Sequence, residues 1–422
     1  MLRRARTLTE FGLLAYLSTI PMGLSFVPWG RDLLLLAVVA GLVFARIPGS
    51  KVTPLRPPFR LLIPLVLFAG STLLSTVFSE VREESIAGVA YAPIAFLLFL
   101  ATQEVAVTLA AYRRVIFVFA AVTVLLGVDG VYQFWGGTSL LGGNLPFGGL
   151  IGGRITASLP NPNDLAMIPI LLPPVLTLVA QTPAAWSSWL ILAGLPFAFV
   201  TVILSGSRNA WLGLAIAFGA LGALGTRRKP ILVAIAVVAV LFVLTYALGI
   251  GNVPERVGLL LQSPRDPRNA EWLVAWQMFK ESPLLGKGAH TFGEFYLPYL
   301  EKITLPAGVK PDVERHIPWA HNLYLEVLGE RGLIGAIGFG APLMAMAGLL
   351  WRSLQRETPA EVRVIALGLT ASLLAFLAEG VFDLTFRKDW VLLVFWLLAA
   401  LVARLPTLSL PTIAGAQEHR EN

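Results

Sequence analysis

Long apolar runs alternate with short polar breaks from the start of this 422-residue chain almost to its end. A helix needs about 20 mostly apolar residues to cross roughly 30 Å of hydrocarbon. Twelve segments meet or approach that length: 10–28, 32–47, 59–79, 85–102, 114–135, 164–180, 185–204, 210–225, 230–250, 330–351, 362–384 and 389–405. The pattern predicts an all-α polytopic integral membrane protein with about twelve transmembrane helices. It divides the chain into nine helices over 1–250, a large loop domain over 251–329, and three helices with a short tail over 330–422. The opening "MLRRARTLTEFG" has the charged start of a signal peptide but no small-residue cleavage site, and it is read as a retained first helix.

Two polar breaks are too long to be turns, and loops of that length tend to be functional. One spans 136–163, is glycine-rich and leads into the next run through "GGRITASLPNPNDLA". The other is the 251–329 loop. There "DPRNAEWLVAWQMFKESP" places Trp272, Trp276 and Phe279 at i, i+4 and i+7, which predicts a short amphipathic helix between prolines. Its tryptophans suit a membrane interface. Further on, "PWAHNLYLEVLGERGLIG" predicts a helix that begins at His321. Its periodicity sets His321, Tyr324, Leu325 and Leu328 on one face and Asn322, Glu326 and Glu330 on another.

Composition agrees with the pattern, since 56% apolar and 14% charged residues lie outside the range of soluble domains. The absence of cysteine excludes disulfides, a thiolate nucleophile and cysteine-bound metals. The net charge of +7 is topological rather than a nucleic-acid footprint. With both termini in the cytoplasm, the inner segments collect seventeen Lys and Arg, among them Arg46, Lys51, Arg56, Arg113, Arg114, Arg227 and Arg420. The outer segments apart from the long loop hold six. This predicts an N-in, C-in arrangement. The core of the long loop carries equal numbers of acidic and basic residues, so it is not a polybasic lipid-binding tail.

Ionisable residues in or beside the spans fall at the predicted outer ends: Asp129, Asp164, Arg208, Glu379, Asp383 and Arg387. An ion-coupled transporter keeps such groups near the midplane, in interrupted helices. An enzyme working at the outer face therefore fits better than a transporter or flippase. Within "LSGSRNAWLG", Ser205 or Ser207 can cap the eighth span, so free N–H groups, the helix dipole and the Arg208 guanidinium converge on one spot suited to an anion. A diphosphate is the natural ligand, through paired hydrogen bonds to the planar guanidinium. The alternative is an arginine snorkelling to the interface. His321 can take a proton from a sugar hydroxyl, as imidazoles do near neutral pH, or it can be a helix cap. His290, His316 and His321 lack the close spacing of zinc motifs. No metal or other cofactor is expected.

Taken in order, "GRITASLPNPNDLA", "SGSRNAWLGL", "RNAEWLVAWQMFKESPLLGKGAHTF" and "HNLYLEVLGERGLIG" resemble the O-antigen ligase superfamily. That superfamily also holds O-antigen and exopolysaccharide polymerases and bacterial protein O-oligosaccharyltransferases. The resemblance covers roughly 150 to 385. It implies a type C membrane glycosyltransferase of the bacterial inner membrane, working on the periplasmic side by inversion and without a metal. The implied donor is a glycan on undecaprenyl diphosphate, and the implied acceptor is a hydroxyl of lipid A core or of another lipid-linked repeat unit. It also implies Arg208 and His321 as catalytic residues and Arg208, Arg268 and Arg154 as diphosphate-binding residues; Ser207, Asn163, Tyr324 and Glu326 beside them in the motifs are the candidate supporting residues. The five-residue offset makes Glu326 poorly placed to touch His321 directly. Protein-directed members carry a further outer domain after the last span, whereas about 17 residues follow it here, so a sugar acceptor is expected. Ligase is favoured over polymerase, which stays open as the alternative.

Overall fold

The computed structural model describes residues 2–19, 28–44, 59–89, 92–142, 149–225, 228–260, 266–313 and 317–408. Through them run α1 (Leu2–Ser18), α2 (Pro28–Phe44), α3 (Phe59–Val77), α4 (Arg82–Gly88), α5 (Ala92–Val105), α6 (Leu109–Gly136), α7 (Met167–Gln181), α8 (Trp186–Leu204), α9 (Arg208–Leu224), α10 (Arg228–Ala247), α11 (Val253–Leu260), α12 (Arg268–Glu281), α13 (Phe292–Leu300), α14 (Leu323–Ser353), α15 (Ala360–Glu379) and α16 (Asp389–Leu408). No strand forms among the described residues, where β pairing is limited to two isolated bridges. Arg46, Lys51, Arg56, Arg227, His316 and Arg420 lie outside the described residues.

Seven helices are long and apolar enough to cross a membrane, and three shorter apolar helices, Leu61–Val77, Arg208–Leu224 and Ile231–Ala247, stand among them. The chain is therefore an all-helical, multi-pass membrane protein. Two helices are apolar all round and accordingly sit inside the bundle: α7, and α16, whose residues from Trp390 to Leu405 are all buried. By contrast α10 leaves Leu232, Val233, Val240, Val243 and Leu244 exposed, as a helix facing lipid does.

Small residues let the helices approach, as expected where lipid supplies no hydrophobic drive for association. A Cβ on Gly127 of α6 would lie 2.5 Å from the Ala198 nitrogen of α8. The Thr201 hydroxyl donates to the Gly127 carbonyl across the same seam at 2.7 Å. At one end of the bundle Arg113 meets Gln181 (2.7 Å) and Glu361 (3.4 Å), and Arg114 pairs with Glu10. The other end carries the segments with the motifs.

There α12 and α13 fold onto a separate small core of Val274, Ala275, Met278, Phe292, Tyr296 and Tyr299. The helix predicted around the tryptophans forms, but its packed face differs from the predicted stripe. Ala270, Glu271, Val274, Ala275 and Met278 are the buried residues, while Trp276 is exposed. The reason is a close seam with α14, where a Cβ on Gly329 would come within 2.8 Å of the Ala275 carbonyl oxygen.

The helix predicted to start at His321 starts instead at Leu323, capped by the Asn322 side chain, which accepts from the Tyr324 and Leu325 N–H groups at 3.1 and 2.9 Å. It crosses the predicted 329/330 boundary and breaks just beyond it, at Gly332 (φ 62°, ψ −162°). Freed backbone groups at the break are met by segment 283–288. Lys287 N–H donates to Gly329 (3.0 Å), Gly288 N–H to Glu330 (2.9 Å), and Leu333 N–H to Pro283 (2.8 Å). Satisfying such groups inside the protein is what makes a break tolerable at membrane depth.

Gly332 is thus fixed twice, because its dihedrals suit glycine alone and a Cβ would lie 2.4 Å from the Leu284 carbonyl carbon. Gly332→Ala is expected to destabilise by on the order of 3 kcal/mol. Gly340→Ala, on the same helix with open space around it, should be neutral or mildly stabilising. Thermal unfolding in detergent compares the two, and equal midpoints would remove the break from the stability argument.

Candidate active site

The sequence "LSGSRNAWLG" folds as a three-residue reversal between α8 and α9. Gly206 takes φ 60°, the Ser205 hydroxyl accepts from the Ser207 N–H at 3.1 Å, and Ser207 caps α9 by accepting from the Ala210 N–H at 3.3 Å. Of the two candidate caps, Ser207 is therefore the one used. The reversal turns two carbonyls outward. Ser205 O accepts from Arg154 Nε at 2.7 Å, and Gly206 O accepts from Arg256 Nε at 3.0 Å. Arg208 follows as the first residue of α9, with Nη2 on Asp266 Oδ2 at 2.6 Å. Asp266 also accepts from the Arg268 N–H at 3.1 Å, which places Arg268 beside it at the start of α12.

Four guanidiniums thereby gather around one turn. Burial first, and then the charges of Arg256, Arg268 and Arg208, bring Arg154 down to about 9, with Asp383 opposing. Arg256 is lowered in the same way, by burial and by Arg208 and Arg268. Burial pushes Asp266 up, but its hydrogen bonds from Arg208 and Arg268 outweigh that and hold it below the usual carboxylate range. Arg256 was missed in the sequence reading, and nothing in "NVPERVG" marks it. Its membership follows from where α11 packs.

His321 lies just before the α14 cap, in the left-handed region at φ 49°. Its Nδ1 is 2.8 Å from Glu271 Oε2 and its Nε2 is 3.6 Å from Asp383 Oδ1. The Trp319 ring packs against the imidazole at 5.6 Å between centroids. Asp383 is buried in the α15–α16 connection, where burial raises it but Lys388, His321 and Arg268 together hold it below the usual range. Lys388 completes the set, 3.7 Å from Asp383, 2.9 Å from Asp164 and 5.0 Å above the Trp319 ring. Burial lowers Lys388, and the two carboxylates more than restore it.

The two halves touch. Arg154 Nη2 donates to Asn163 Oδ1 at 2.7 Å, Asn163 stands beside Asp383, and Asp383 acts electrostatically on both Arg154 and Arg268. Arg154, Asn163, Ser207, Arg208, Arg268 and His321 are therefore brought to one end of the bundle. Glu326 is not on the histidine. Its carboxylate accepts from the Thr385 hydroxyl at 2.6 Å and pins the α15–α16 connection from below. Tyr324 likewise turns away, donating its hydroxyl to the Leu377 carbonyl at 2.6 Å. Glu271 takes the place considered for Glu326. The tryptophan stripe masked it, because an acidic residue on a packed face breaks the pattern used to find that face.

Two more of the charged residues at this end, Asp129 and Arg387, have structural partners. Asp129 accepts from the Ser139 hydroxyl and the Leu140 and Leu141 N–H groups at 2.7, 2.6 and 3.1 Å. Arg387 bridges Glu84 and the His290 carbonyl, each at 2.7 Å. No group of three or more His, Asp or Glu side chains placed to hold a metal occurs among the described residues.

Residues 193–340, about a third of the chain, match the family model described as O-antigen ligase. The match opens in α8, takes in Arg208, Arg256, Asp266, Arg268, Glu271 and His321, and closes in α14. That segment holds three of the four motifs that carry the resemblance to the O-antigen ligase superfamily, and "GRITASLPNPNDLA" precedes it. No curated protein matches the chain.

His290 stands apart from the site. It is buried at φ 62°, and burial first, then Arg331 and Arg387, push its pKa well below the usual 6.5. The unfolded chain therefore binds a proton that the folded one refuses. Stability should be complete above about pH 6.5 and fall as pH drops toward the lower folded value, by up to about 1.4 kcal/mol per pH unit. His290→Asn, a residue tolerant of positive φ, should flatten the thermal midpoint between pH 7 and pH 5. An unchanged slope would assign the loss to other groups.

Proposed function

We propose that this protein is a membrane glycosyltransferase that moves a glycan from undecaprenyl diphosphate to an acceptor sugar hydroxyl on the periplasmic side of the inner membrane. On this reading the chain crosses the membrane twelve times with both termini inside, and the acceptor is lipid A core, as for an O-antigen ligase. The observation that carries it is the juxtaposition of a carboxylate-held histidine with a four-arginine cluster, joined through Asn163 and Asp383. One half suits deprotonation of an alcohol. The other suits departure of a diphosphate.

The acceptor oxygen attacks the anomeric carbon as the bond from that carbon to the diphosphate oxygen breaks, and the diphosphate leaves with the electron pair. Because Nδ1 faces Glu271, its proton is directed there and Nε2 keeps the lone pair that receives the acceptor proton. The imidazolium so formed lies between two carboxylates, Glu271 and Asp383. Attack from the face opposite the leaving group inverts the anomeric centre. Arg208, Arg268 and Arg154 offset the charge that grows on the diphosphate, the work a divalent cation performs elsewhere. Such preorganised donors act strongly in a partly buried site, where each is worth roughly 3 kcal/mol of barrier, or about a hundredfold in rate.

Activity of protein reconstituted with lipid-diphosphate glycan and acceptor tests these roles. His321→Ala should lose about 10²–10⁴-fold in kcat while keeping its fold, and full turnover in a folded variant would sink the base assignment. Glu271→Gln should lower kcat with little change in the KM for donor, because it disturbs the tautomer and not the anion site. Arg208→Lys should be nearly as poor as Arg208→Ala, about a hundredfold down, because an ammonium cannot reproduce the paired hydrogen bonds. Product on lipid A core supports the ligase reading. Product confined to lipid-linked repeat units would make the protein a polymerase, and movement of lipid across liposomes with no glycosidic bond formed would make it a flippase.

A further inference from the structure

Arg256 has no part in the chemistry above, yet its backbone and side chain are specifically placed. It lies in α11, a short helix packed against the outer end of α10, the helix whose side chains are most open to lipid. Its Nε is fixed on the Gly206 carbonyl at 3.0 Å. A Cβ on Gly206, whose φ is 60°, would come within 3.0 Å of the Arg256 Cγ, so the turn and the arginine pack tightly together. Nε is the inner donor of the guanidinium. Spending it on a carbonyl directs the two terminal nitrogens away from the turn, as the same contact does for Arg154 on Ser205 O.

The four arginines differ in what stands behind them. Arg154 is tied to Asn163, and both it and Arg268 feel the Asp383 charge, so these two are on the histidine side. Arg208 and Arg256 are on the other side. Arg208 binds Asp266 and reaches the Leu259 carbonyl of α11 at 3.4 Å, and Arg256 is on α11 itself. A diphosphate joining a sugar to a polyprenyl chain has two chemically distinct phosphates. The cluster has two ends to match them, one toward the base and one toward lipid.

Building on the diphosphate reading above, we propose that Arg256 is a further binding residue of the site and that the cluster divides its labour. Arg208 and Arg256 take the lipid-proximal phosphate, and Arg154 and Arg268 take the sugar-proximal one. Asp266, 2.6 Å from Arg208, is the internal carboxylate that the lipid-proximal phosphate displaces.

Two half-ligands separate the ends: farnesyl phosphate carries the lipid-side phosphate alone, and glucose 1-phosphate the sugar-side phosphate alone. Binding of each to the full-length protein in nanodiscs is measured by calorimetry, with inorganic pyrophosphate as a reference probe. Arg256→Gln keeps an N–H donor at the position of Nε for the Gly206 carbonyl while removing the charge and the two terminal nitrogens. It should weaken farnesyl phosphate about tenfold, the effect of one charge-assisted contact, and leave glucose 1-phosphate within about twofold. Arg154→Ala should show the reverse preference. Asp266→Asn, which frees Arg208 of its carboxylate, should bind farnesyl phosphate more tightly than wild type.

Unchanged farnesyl phosphate binding by Arg256→Gln would overturn the proposal, as would equal losses for both half-ligands or weaker binding by Asp266→Asn. If pyrophosphate binding needs Arg208 but not Arg256, this inference fails and the diphosphate reading stands. If pyrophosphate binding survives Arg208→Ala, the diphosphate reading itself fails.

Discussion

Charged groups buried at one end of an apolar bundle are costly to leave unpaired, because isolating an ion from water costs more than a single contact returns. In this protein that constraint is met by a chain of alternating partners: Glu271, His321, Asp383, Lys388 and Asp164. The members come from α12, the segment before α14, the α15–α16 connection and the turn before α7. Their pairing fixes how the outer helices sit on the bundle. It also holds an imidazole with one nitrogen on a carboxylate and the other facing the interior of the site. Architecture and chemistry thus rest on the same contacts.

Next to this chain the charge balance reverses. Arg154, Arg208, Arg256 and Arg268 converge, Asp266 accepts hydrogen bonds from Arg208 and Arg268, and burial first and then mutual repulsion lower the proton affinity of Arg154 and Arg256. This crowding of like charge is the feature on which the proposed anion site rests. Asp383 stands at the seam and acts on both sides. On the proposed reading, nucleophile activation and leaving-group stabilisation demand opposite potentials close together, and the two halves are the groups assigned to them.

The supporting structure is built to keep those halves in register. The break of α14 at Gly332 and the segment 283–288 that fills it tie the loop between α12 and α13 to the bundle by backbone hydrogen bonds. Glu330, in the last turn before the break, accepts the N–H groups of His290 and Phe292 at 2.8 and 3.1 Å. Buried polar side chains here serve as fasteners between segments whose apolar faces alone would allow sliding.

Several parts of this were legible in the sequence. Apolar runs of helical length determined the bundle, because burial in lipid is a one-dimensional property of a segment. The serines and glycine of "SGSR" determined a capped reversal with Arg208 at the helix start, because capping is local. Residue chemistry marked Arg208 and His321 as unusual, and the family resemblance added Arg268. Other features were decided only by the tertiary structure. His321 leaves the helix it was predicted to begin, since the Asn322 side chain is the better cap. Its carboxylate partner is Glu271, fifty residues earlier, rather than Glu326 on its own helix. Arg256 joins the cluster, and Lys388 and Asp164 close the ion chain. Each of these depends on separations of about 3 Å between segments far apart in the chain, and hydrogen bonds and ion pairs are sensitive to those distances. Periodicity groups residues by helix face, and on α12 the face it picked out was not the buried one. It carries no information about what that face will meet.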